Sequence, residues 1–150
     1  MTTDKSNSLY VWDLESEEPK VLEKVHNLKI MDVIDVIRIN AMLSSSLDKN
    51  IVVWDLKEFE VRFKIDLKNS FSVHTFKYSY QHDLLFTASY ETQIKIWHFD
   101  SAIECTNVGA LSGHESMVTA IDVIYDTNYL VSADDFGCIK CWNLRNQHCI

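Results

Sequence analysis

Apolar residues in this chain come in short runs of about four to eight, many alternating with polar positions, and the runs are separated by clusters of Asn, Asp, Ser and Lys. Glycine and proline, the usual punctuation, number only three and one. The pattern predicts strands near Ser8–Trp12, Lys20–Lys24, Ile30–Arg38, Ala41–Ser46, Ile51–Asp55 and Glu60–Ile65. It continues with Phe71–Ser79, Leu84–Ser89, Gln93–His98 and Glu104–Val108, then Met117–Tyr125, Tyr129–Ala133, Cys138–Asn143 and Gln147–Ile150. No helix is predicted, and the fold class is all-β.

The runs repeat at long range. Trp12, Trp54, Trp97 and Trp142 stand 42, 43 and 45 residues apart, each closing an apolar strand: Val11-Trp12-Asp13, Val53-Trp54-Asp55, Ile96-Trp97-His98 and Cys141-Trp142-Asn143. A period of about 40–45 residues with Trp-Asp at a strand end is the signature of β-propeller blades of four antiparallel strands. Counting strands divides the chain into a half blade over 1–25 and blades over 26–68, 69–113 and 114–150, all part of one propeller. This is an incomplete arc of about three and a half blades, whereas closure takes about four to eight. Further propeller blades, from the same or another chain, are therefore expected partners, because each blade covers its neighbour's apolar face. Two copies joined end to end would not suffice, since each would lack the first two strands of its opening blade.

Composition narrows the function. With 47% hydrophobic residues the 150-residue chain can bury a core. A formal net charge of −8 and only three arginines argue against a nucleic-acid or anionic-membrane partner, since such binding draws on clustered Lys and Arg. Residues 1–8 are polar and no long apolar run occurs, so neither a signal peptide nor membrane insertion is expected, and a cytoplasmic location is the default. Cys138 and Cys141 form a C-x-x-C pair, but residues three apart on a strand point to opposite faces. The expectation is small buried thiols and no metal, and no cofactor is called for by any phosphate-cradling Gly loop or His-Glu-x-x-His motif.

A second register runs through the repeats. His26 to Trp54, Asn69 to Trp97 and His114 to Trp142 each span 28 residues, with Ser44, Thr87 and Ser132 each 18 residues after the first member. Together with Gly113-His114, Ser132, Gly137 and Trp142-Asn143, this spacing resembles the WD-repeat β-propeller family over almost the entire chain. In that family a Trp, a Ser or Thr, a His and a turn Asp form a hydrogen-bonded network. The chemistry is consistent: a buried indole N–H needs an acceptor, a hydroxyl accepts it while donating onward, and an imidazole accepts while donating to a carboxylate. Carried over by position, the first full repeat has His26, Ser44, Asp48 and Trp54, and is expected to hold the fullest network. The second has Thr87 and Trp97, with Asn69 and Glu91 departing from the pattern. In the third, His114, Ser132 and Trp142 match, but Phe136 occupies the acidic position and Asp135 comes one residue early.

Ser44, His26 and Asp48 could also be read as a hydrolytic triad. The same Ser, His and Trp pattern recurs in the third repeat, and no Gly-x-Ser-x-Gly elbow is present, so the scaffold reading prevails. The resemblance implies a non-enzymatic protein-interaction scaffold that presents a rim and loops to other proteins. Its protein-binding rim positions map to Lys29, Met31 and Leu47, to Ser72, His74 and Tyr90, and to Met117, Thr119 and Asp135. None is arginine, which disfavours a phosphopeptide reader. Met31, Leu47, Tyr90 and Met117 are expected to face solvent as an apolar patch. The degenerate middle repeat loosely resembles repeats of long multi-propeller proteins, which supports an alternative: a structural building block of a cytoskeletal or ciliary assembly. A further alternative is a targeting domain of an enzyme whose catalytic part lies outside this chain.

Overall fold

The computed structural model describes residues 2–3, 7–22, 25–67, 72–100 and 104–150. Among them the order is β1 (Thr2–Thr3), β2 (Leu9–Trp12), β3 (Pro19–Leu22), β4 (Ile30–Val36), β5 (Ala41–Ser46), β6 (Asn50–Asp55) and β7 (Val61–Asp66). There follow β8 (Val73–Ser79), β9 (Leu84–Ser89), β10 (Gln93–Asp100), β11 (Glu104–Ser112), β12 (Val118–Val123), β13 (Tyr129–Asp134), β14 (Ile139–Asn143) and β15 (His148–Cys149). Each of β4–β7, β8–β11 and β12–β15 is an antiparallel four-stranded meander, and β1–β3 form a three-stranded sheet at the start. Two strands were expected there; the third, β1, pairs through Thr2 with Tyr10 and Thr3 with Leu9. Ile37–Ile39 form a 3-10 turn rather than the end of a strand. Phe71, Glu23 and Lys24, at the ends of expected strands, lie outside the described residues. β11 runs four residues past Val108, because a bulge at Ile96/Trp97 lets it keep pairing as far as Ser112.

The sheets pack face to face in chain order. Leu9 and Leu22 of the first lie against Met42, Val52 and Trp54 of the second. Leu43, Ile51 and Val53 meet Val73, Phe76 and Leu85 of the third, whose Phe86, Ile94 and Ile96 meet Ile121, Leu130 and Trp142 of the fourth. Alternation makes this possible: residues two apart on a strand share a face, so each inner strand serves two interfaces.

With so few glycines, the turns rely on other residues in the left-handed region. Asn40, Asp83 and Asp126 (φ 49°, 56° and 56°) sit in the turns between the first two strands of their sheets. Short polar side chains tolerate that conformation because they hydrogen-bond locally. Glu17, Phe59 and Gln147 (φ 57°, 57° and 60°) each lie five residues after a Trp. Those last turns explain the Trp-Asp dipeptide. Asp13 Oδ1 accepts the N–H groups of Glu15 and Ser16 at 2.8 and 3.3 Å, and Asp55 Oδ1 those of Lys57 and Glu58 at 2.7 and 3.1 Å. Asn143 Oδ1 does the same with Arg145 N at 3.0 Å. In these three sheets the residue after Trp therefore caps a turn, whereas His98 continues β10.

The cysteine expectation is corrected. All four are free; Cys138 and Cys149 are exposed and Cys105 and Cys141 half-buried. Cys138 precedes β14, outside the strand in which it was expected to be buried. Burial pushes the Cys105 thiol up to about 12.

Candidate functional site

In the second sheet, Trp54 Nε1–H donates to Ser44 Oγ at 2.9 Å, and the Ser44 hydroxyl meets His26 Nε2 at 2.8 Å. His26 Nδ1 lies 3.1 Å from Asp48 Oδ2, and Asp48 also accepts Asn27 N at 2.8 Å and Asn50 N at 3.0 Å. A single tautomer satisfies all of this: the Nδ1 proton points at the carboxylate, leaving Nε2 to accept from serine. Burial lowers the His26 pKa below that of a free imidazole, against the pull of Asp48, so the neutral ring is favoured. For Asp48, burial alone would raise the carboxyl, but the two backbone N–H groups and His26 outweigh it and hold it below the usual carboxylate range.

The fourth sheet builds the same network. Trp142 Nε1–H donates to Ser132 Oγ at 2.7 Å, Ser132 meets His114 Nε2 at 2.6 Å, and His114 Nδ1 lies 2.8 Å from Asp134 Oδ2. Asp134 Oδ1 accepts Phe136 N and Cys138 N at 3.2 and 2.9 Å. Burial works to raise the Asp134 carboxyl, yet His114 and those N–H groups hold it low. Two expectations are thereby corrected. The acid comes neither from position 136 nor from Asp135, which instead takes a hydrogen bond from the Ser116 hydroxyl, and the first full repeat does not hold a fuller network than the third. Asp134 stands where the second sheet has Ser46, two residues nearer the serine; both carboxylates reach their histidine because each also caps the turn it sits in. Gly137, at φ 82°, and Lys49, at φ 67°, occupy the same left-handed turn position. Gly113 has a packing reason: a Cβ there would stand 3.2 Å from Cη2 of Trp142.

In the third sheet Trp97 Nε1–H donates to Thr87 Oγ1 at 2.9 Å, while Asn69 lies outside the described residues. Glu91 pairs with Lys95 at 3.3 Å. Chemically these are hydrogen-bonded clamps, since both serine hydroxyls are fully engaged by an indole and an imidazole. His114, Asp134 and Cys138 place possible ligand atoms within 4.8 Å of one another. The lone pairs of Asp134 are already committed to His114 and two backbone N–H groups, which makes this a capped turn.

The rim positions converge. Leu47 N–H donates to Lys29 O at 3.0 Å and Asp135 N–H to Met117 O at 3.1 Å, the same pairing in two sheets. In the sheet between them the His74 and Tyr90 rings are 5.5 Å apart. Val118 N–H donates to Glu91 O at 3.2 Å, tying the turn after Tyr90 to the next sheet. Met31, His74 and Thr119 are each the extra residue of a β-bulge, at Ile30/Asp32, Val73/Thr75 and Val118/Ala120. A bulge re-aims its side chain, and sequence spacing carried no sign of that device. Lys29, Tyr90, Thr119 and Asp135 are exposed; Met31, Leu47, Ser72, His74 and Met117 are half-buried. Of the four apolar positions expected to face solvent, only Tyr90 is exposed, at 51%, and the other three are half-buried.

A Trp–Ser–His–Asp clamp in each of the second and fourth sheets, with a Trp–Thr pair in the third, agrees with comparison to known proteins. The family model described as WD domain, G-beta repeat matches residues 64–98 and 105–143. The chain belongs to the WD-repeat β-propeller family. It is similar to the Cilia- and flagella-associated protein 337 B of Tetrahymena thermophila, with 21% identity over 94% of this chain and 11% of that protein. It is 32% identical to the Nuclear distribution protein nudF of Aspergillus niger over 73% of this chain and 25% of that one. Its structure aligns with the crystal structure of RRP9 WD40 repeats at a TM-score of 0.75 and 20% identity, covering 85% of this chain and 39% of that one. The chain thus spans a tenth to a quarter of the length of these two sequence relatives. WD-repeat propellers are generally non-catalytic and bind other proteins, and among the described residues no helix is long and apolar enough to cross a membrane.

Proposed function

We propose that this chain is a non-enzymatic protein-interaction scaffold, part of one WD-repeat propeller, whose partners dock on the rim carrying Lys29, Met31, Leu47, Ser72, His74, Tyr90, Met117, Thr119 and Asp135. The observation that supports the reading is the bulge repeated at Met31, His74 and Thr119 in three sheets, with the His74 ring 5.5 Å from that of exposed Tyr90. Aromatic and Met side chains rimmed by polar groups are the composition of interaction hot spots. Tagged wild-type protein should retain partners that Tyr90→Ala and Met117→Ala lose, while the control Glu60→Ala, in the turn before β7, keeps them. Unchanged partners in both rim variants would refute it.

Further blades are proposed to complete the arc. Ile51 and Ile94, which face the following sheet, are 0% exposed, whereas the matching Ile139 is 72% exposed. Trp54 and Trp142, which face the preceding sheet, are 3% and 1% exposed, against 45% for Trp12. Both ends thus present the halves of an interface that the chain builds internally. A second reading, a cytoplasmic building block of a cytoskeletal or ciliary assembly, is favoured by the similarity to a cilia- and flagella-associated protein along 94% of the chain. Retention of the tagged protein in salt-washed axonemes supports it, and its release into the detergent-soluble fraction opposes it.

A further inference from the structure

The end of the arc opposite the rim carries a second surface. β8 runs from His74 at the rim to Ser79, and β12 from Thr119 toward Ile124, so the turns that follow them lie together at the far end. Between those turns is a groove of about 420 Å³, lined by Tyr80, Ile124 and Tyr125 together with Asp122, Asp126 and Lys77. One wall is rigid. The Tyr80 hydroxyl donates to Asp35 O at 3.0 Å, its ring meets Tyr78 edge-on at 5.2 Å, and the Tyr78 hydroxyl donates to Asp83 Oδ1 at 2.5 Å. Arg38 closes that wall by pairing with Asp83. The other wall is open to solvent: Tyr125 is 87% exposed, with exposed Asp122 and Asp126 beside it. Asp122 uses Oδ1 to hold Val123 N at 3.0 Å, which leaves Oδ2 available.

Three phenol rings and two carboxylates, against one lysine, suit a cation with a flat face, and the chain's net charge of −8 reinforces the field. We propose that this groove binds an arginine side chain of an extended peptide segment from a protein partner, the guanidinium stacking on Tyr80 or Tyr125 while its N–H groups reach Asp122 and Asp126. The groove is separate from the rim and its occupation does not depend on rim binding.

The test is fluorescence anisotropy with the intact protein and a labelled Gly-Arg-Leu-Arg-Gly peptide, compared with its citrulline counterpart, which keeps the shape and removes the charge. The arginine peptide binds at least about tenfold more tightly than the citrulline one, consistent with cation–π and charge-assisted contacts. Tyr125→Ala and Asp126→Asn each weaken binding about fivefold or more without shifting the melting temperature, since both residues are exposed and Asn tolerates the left-handed turn. Tyr90→Ala on the rim leaves binding unchanged. Equal binding of the two peptides, no binding of either, insensitivity to Asp126→Asn, or loss on Tyr90→Ala would each overturn the proposal.

Discussion

Replacing Ser44 by alanine removes one hydroxyl and disturbs two partners. The indole N–H of Trp54 loses its acceptor at 2.9 Å and His26 Nε2 loses its donor at 2.8 Å, at positions where Ser44 is 0% exposed and both partners are buried. An orphaned buried group costs about 1–3 kcal/mol, so two cost roughly 2–4 kcal/mol after partial relaxation. At roughly 3 °C per kcal/mol for a domain of this size, that is a fall in Tm of about 6–12 °C. Ser132→Ala breaks the equivalent pair of contacts to Trp142 and His114 and should cost as much. Thr87→Val keeps the shape and orphans one described partner, Trp97, which is only half-buried, so its cost is about 1 kcal/mol or less. Thermal melts of the intact protein with the three substitutions decide the matter. A Ser44→Ala melt within 2 °C of wild type (on the order of half a kcal/mol), or a Thr87→Val loss as large as that of Ser44→Ala, refutes the clamp argument.

Other outcomes follow from the same geometry. Asp48→Ala lowers Tm more than Glu91→Ala, because Asp48 holds a buried histidine and two backbone N–H groups while the Glu91–Lys95 pair sits at a partly exposed site; equal losses by melt would contradict this. Stability falls on acidification in two stages. The lowered pKa of His26 means the unfolded chain takes up a proton first as pH drops below about 6.5, and the lowered pKa values of Asp48 and Asp134 add a steeper loss below about pH 4. Urea midpoints measured from pH 7 to 3 test it, and a flat profile between pH 7 and 5 removes the histidine contribution. Ile94→Asp abolishes folding because its position is fully covered by the next sheet, whereas Ile139→Asp leaves the melt of this chain unchanged and impairs only association with further blades; size-exclusion and melting data separate the two.

Much of this protein is local periodicity, and local periodicity is readable. The spacing of the tryptophans, the alternation within β6 and β10, and the 28-residue interval from His26 to Trp54 and from His114 to Trp142 depend on side-chain type and strand pitch, so the sequence alone set the repeat, the strands and the Trp–Ser–His part of each clamp. The tertiary structure decided what depends on where a turn carries its side chains. Asp134 completes the fourth sheet's clamp from two residues before the expected place, because a carboxylate that caps a turn can meet the histidine from either position. The bulges at Met31, His74 and Thr119 depend on which residue of the following strand each neighbour pairs with, so only the pairing reveals them. The exposure of Ile139 and Trp12, and the groove between Tyr80 and Tyr125, likewise arise from which sheet stands beside which, a fact of packing that no single stretch of sequence contains.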